Sequence, residues 1–78
     1  MPTALRVSGF RFFFYSNEVN EPMHIHVEKG DAVGKMWLEP VLEQEYFYGF
    51  TVKERKQIIE IVTANLDLFK NTWNERFN

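Results

Sequence analysis

An α+β fold is what this sequence predicts: a small antiparallel sheet of four or five strands packed against one long C-terminal helix with a candidate kink. Two observations point there. Apolar residues alternate with a period of two through the first half, between closely spaced turn residues. From Thr51 onward the period becomes helical and no proline interrupts it. Each element follows from its residues.

Leu5-Arg6-Val7 and Phe10 to Tyr15 flank Ser8-Gly9, a two-residue turn whose glycine accepts positive φ, so the segment reads as a β-hairpin. Ser16 to Pro22 holds Asn, Glu and Pro, which is loop chemistry. His24 to Glu28 is the next strand and Lys29-Gly30-Asp31 a tight turn. The strand after it runs from about Ala32 to Leu38, with Gly34 a candidate bulge, and Pro40 ends regular pairing. Val41 to Phe50 reads either as an irregular strand or as a loop anchored by its aromatic residues. Thr51-Val52-Lys53-Glu54 is a capping box. Beyond it, Ile59, Val62, Leu66, Phe69, Trp73 and Phe77 step along one helical face, with Ile58 and Ile61 widening the stripe. That stripe is expected to bury against Phe12, Ile25 and Val27. Thr63, Ala64 and Asn65 are where the helix would kink or break.

The 78 residues form a single domain over 1–78, with no linker, repeat or low-complexity segment. Cysteine is absent, so neither a disulfide nor a thiolate metal site staples the chain. Apolar packing carries the fold, and eight Phe, three Tyr and two Trp supply much of it. A core this thin leaves room for homo-oligomerisation. The net charge of −2 excludes the basic excess of a non-specific nucleic-acid binder. No apolar run reaches membrane-spanning length, and the first residues lack a secretory pattern; a cytoplasmic protein away from membranes is expected.

The chemistry concentrates in Glu21-Pro22-Met23-His24-Ile25-His26-Val27-Glu28. Strand alternation puts His24 and His26 on one face and Ile25 and Val27 on the other. With Phe12, Met36 and Leu38 turned to the helix, the far face presents Arg11, Phe13, Tyr15, His24, His26, Lys35 and Trp37, with Glu28 as almost its only carboxylate. Such a face suits a protein partner, with Phe13, Tyr15 and Trp37 as anchors. It also suits single-stranded RNA, whose bases stack on rings. A catalytic alternative is a metal-independent endoribonuclease. His24 and His26, about 7 Å apart along the strand, would act as base and acid, and Arg11 or Lys35 would stabilise phosphorane charge. It carries the expectation that His24→Ala or His26→Ala abolishes cleavage while leaving the fold intact. A metal scheme would add Glu18, Glu21 or Glu28 to the imidazoles, but no third ligand is identifiable by spacing, so no metal or other cofactor is expected. Neither Ser8 nor Ser16 sits in a nucleophile context.

Met1-Pro2-Thr3-x-Leu5-Arg6, Gly9-Phe10-Arg11-Phe12-Phe13-Phe14-Tyr15-Ser16-Asn17-Glu18 and Glu21-Pro22-x-His24-Ile25-His26-Val27 resemble the short prokaryotic family known as domain of unknown function 4160. Trp37-Leu38-x-Pro40, Tyr48-Gly49-Phe50 and Leu68-Phe69-x-x-x-Trp73-Asn74-x-x-Phe77 extend the resemblance over nearly the whole chain. Met23 departs from it, since members typically carry a second proline there. The resemblance implies a cytoplasmic bacterial protein encoded beside a second small domain, in pairs of toxin–antitoxin type. Its implied partner is the cognate small protein of the neighbouring gene, with RNA as a further target. It implies no catalytic residue.

Overall fold

The computed structural model describes residues 3–15 and 20–77. Five strands, β1 (Thr3–Val7), β2 (Phe10–Phe13), β3 (His24–Lys29), β4 (Ala32–Trp37) and β5 (Glu43–Tyr48), pair antiparallel in sequence order. Helices α1 (Val52–Ala64) and α2 (Leu66–Phe77) follow. The meander needs only short connections, and the sequence provides them. Ser8 and Gly9 have φ of 53° and 84°, the pair of positive values that lets a two-residue turn follow the twist of its strands. The Glu39–Pro40 peptide is cis.

Within Val41 to Phe50, Glu43–Tyr48 forms an edge strand, β5. The expected bulge at Gly34 lies instead across the ladder: Lys35 pairs with Tyr46 and Met36 with Gln44, leaving Glu45 as the extra residue of β5. Gly34 has a different task. A Cβ there would stand 2.5 Å from Cδ1 of Phe47, whose ring lies over the glycine and meets Phe50 at 5.9 Å. Gly34→Ala is therefore expected to lower stability by about 1–3 kcal/mol through overpacking. Chemical denaturation measures this, and unchanged stability would remove Phe47 from that position.

The core joins Phe10, Phe12, Phe14, Ile25, Val27, Met36 and Leu38 of the sheet side to Ile58, Val62, Phe69 and Trp73 of the helices, with Phe50 closing one end. Phe12 meets Phe69 at 5.5 Å between ring centroids, and Phe14 meets Trp73 edge-on at 5.8 Å. The capping box forms as expected. The Thr51 hydroxyl accepts from the Glu54 amide at 3.1 Å, and the Thr51 amide donates to Glu54 at 2.9 Å. That donated bond, with help from Lys29, holds the Glu54 carboxyl below its ordinary range.

The C-terminal helix divides in two, at the Thr63–Asn65 stretch where a kink or break is expected. The chain breaks at Asn65, whose backbone and side-chain N–H groups both donate to the Ile61 carbonyl. Two residues earlier the Thr63 hydroxyl donates to Ile59. Such local bonds compete with the regular ladder and bend helices. One position of the stripe is corrected as well. Ile58 is fully buried, while Ile59, expected in the core, is 39% exposed. In α1 the buried positions are Ile58 and Val62, with Ile61 packed beside them, so the stripe runs through Ile58, one of the residues that widen it, rather than through Ile59. The side chain of Phe77 lies outside the described residues.

Candidate functional site

Sheet register builds the helix-free face in three rows. The first runs Arg11, Glu28, Val33, Tyr48; the second Phe13, His26, Lys35, Tyr46; the third His24, Trp37, Glu43. Every residue expected on this face except Tyr15, which continues β2 beyond its last pairing, belongs to one of these rows. Tyr15 still reaches the face, meeting His26 edge-on at 4.5 Å and Phe13 at 5.2 Å.

The centre of the face is closed. Phe13 is 3% exposed, His26 5% and His24 not at all. His26 stacks on Phe13 at 5.6 Å and meets His24 at 5.1 Å. His24 is packed against Trp37 at 5.5 Å and, from α2, Trp73 at 5.1 Å. The result is a continuous ladder of rings in edge and stacked contacts, the geometry that ring quadrupoles favour. His24 Nδ1 donates to the Pro22 carbonyl at 2.8 Å. A carbonyl only accepts, so that nitrogen carries the proton and the ring is fixed in orientation.

Both cations of the expected catalytic set are paired. Arg11 donates to Glu28 at 2.8 Å and to the Thr3 hydroxyl at 2.8 Å, with its guanidinium 4.5 Å above Phe13. Lys35 Nζ bonds Glu21 at 2.7 Å and stands 4.4 Å over Trp37. The Trp37 indole N–H donates to Glu45 at 2.6 Å. The face therefore holds more carboxylate than Glu28 alone: Glu21 comes up from the loop, and the bulge in β5 brings Glu45. No spacing rule marks either one. The Tyr46–Tyr48 stack at 5.1 Å was also missed, though the alternation in Glu43–Tyr48 carries its signal.

What remains accessible is a rim. Tyr15 is 38% exposed, Val33 40% and Tyr48 64%, with Trp37 half-buried. Of the three expected anchors, Tyr15 and Trp37 are presented, and Phe13 is buried against Tyr15 and His26. Among the described residues no three His, Cys, Asp or Glu side chains converge as a metal site would require. Glu28 and Glu21 are engaged with Arg11 and Lys35, and Glu18 lies outside the described residues. Among the described residues, no helix is long and apolar enough to cross a membrane.

Neither a curated protein nor a solved structure matches the chain. A family profile does, over residues 9–74, a span that contains β2 to β5, α1 and the whole ring ladder. The chain accordingly belongs to the family described as domain of unknown function DUF4160.

Proposed function

We propose that this protein is one member of a pair of toxin–antitoxin type and binds its cognate small protein through the helix-free sheet face. The observation that carries the reading is the ring of accessible Tyr15, Val33, Trp37 and Tyr48 around a closed Phe13–His26–Lys35 centre. A rigid, prepacked floor lowers the ordering cost of association, and exposed aromatics above it supply anchoring area. Protein is favoured over RNA because phosphates would have to displace Glu28 from Arg11 and Glu21 from Lys35. It is favoured over catalysis because a general acid or base must reach its substrate, and His24 is wholly covered.

The test is co-expression with the product of the neighbouring gene, followed by capture on tagged protein. The neighbouring product should co-purify. The double variant Tyr15→Ser, Tyr48→Ser should reduce its recovery about tenfold or more, as loss of aromatic anchors does, with little change in melting temperature. Undiminished capture by the double variant, or no co-purification by the wild type, overturns the reading.

A further inference from the structure

Where β4 leaves the sheet, a cleft of about 220 Å³ opens, lined by Pro22, Trp37, Glu39, Pro40, Val41 and Glu43. Its walls are fixed from several directions. The amides of Leu38 and Glu39 both donate to the Met23 carbonyl, at 2.8 and 3.3 Å, which ties Pro22 to the end of β4. Glu39 is anchored to α2 through Lys70 at 2.9 Å. Trp37 is held by Glu45 at its indole N–H and by His24 at its ring. The cleft is thus formed before anything occupies it.

Its charge is one-sided. Glu21, Glu39, Glu43 and Glu45 surround Trp37, against Lys35 and Lys70. The surplus of two negative charges equals the formal net charge of the whole chain. Glu43 is exposed at the rim, with no ion-pair partner among the described residues. Prolines, a valine and an indole face accept a flat hydrocarbon-edged group, and the rim carboxylate accepts hydrogen bonds. An arginine side chain meets both demands, because its planar guanidinium stacks on an aromatic ring and forks onto a carboxylate.

We propose that this cleft receives an arginine side chain carried on an apolar segment of the protein partner. The proposal rests on the partner-binding reading of the neighbouring face and adds what the partner inserts. It is tested on the isolated protein by titrating acetyl-Leu-Arg-Leu-amide and following the indole N–H signals by NMR, with Trp37→Phe used to assign them. A saturable shift of the Trp37 signal is expected, and Glu43→Gln should weaken the apparent affinity about two- to fivefold, the scale of one exposed ion pair. No saturable shift, or an unchanged affinity in Glu43→Gln, overturns the proposal. So does an equal response to acetyl-Leu-Glu-Leu-amide or acetyl-Leu-Lys-Leu-amide. A Trp37 signal that moves with protein concentration alone would assign the cleft to a second copy instead. Because no cognate protein enters the titration, its failure is distinguishable from a failure of co-purification.

Discussion

Phe69→Ala is expected to unfold the protein at or near room temperature. Phe69 is fully buried and packs its ring 5.5 Å from that of Phe12, at the point where α2 lies on the sheet. Truncating a buried phenylalanine removes about 3–5 kcal/mol, and a domain this small holds roughly 5 kcal/mol in all. Ile59→Ala, one of the positions the helical stripe favoured, should change stability by less than about 0.5 kcal/mol, because the side chain stands partly in water. Thermal melts of the two variants check the pair. A Phe69→Ala protein as stable as wild type would mean that α2 is not docked on β2 and β3. A strongly destabilised Ile59→Ala would restore the unbroken stripe.

His24→Ala is expected to lower stability by about 2–5 kcal/mol, the range for emptying a mid-sized buried site. The expectation that this substitution leaves the fold intact treated the imidazole as a solvent-facing group. Buried between Trp37, Trp73 and His26, with Nδ1 bonded to Pro22, it is a packing element whatever else it does. Loss of growth arrest or of RNA cleavage in that variant would therefore say nothing of catalysis without a stability measurement beside it. Denaturant melts decide the point: wild-type stability in His24→Ala would show that Trp73 does not seal the imidazole.

Alternation and turn chemistry were enough to read the hairpin at Ser8-Gly9, the strands around His24 and Lys35, the capping box and the division of the sheet into two faces. Those features are local, and a period of two leaves little freedom in which side chain points where. Three others depend on tertiary contact. Glu45 reaches Trp37 only because β5 carries an extra residue opposite Lys35 and Met36. Ile58 rather than Ile59 fills the core, because adjacent positions of a wide stripe are separated only by how the helix seats on the sheet. Gly34 reads as a bulge in isolation and proves to be the floor under Phe47. The site was legible as a set of residues on one face. Its accessibility was not, since burial of Phe13 and His24 depends on side chains distant in sequence.

Trp73 touches Phe14 on the helix side of the sheet and His24 on the other. A single indole thus spans the boundary between the two layers, closing the end of the sheet like a hinge pin. The consequence is that the two sides cannot vary independently. A substitution that reshapes the ring ladder alters the seat of α2, and a displaced α2 uncovers His24. Drift on the binding side is therefore constrained by the core, and a partner pressing on the ladder strains the same indole that secures the last helix. Trp73 is accordingly a built-in fluorescent witness to events on a surface it does not itself form.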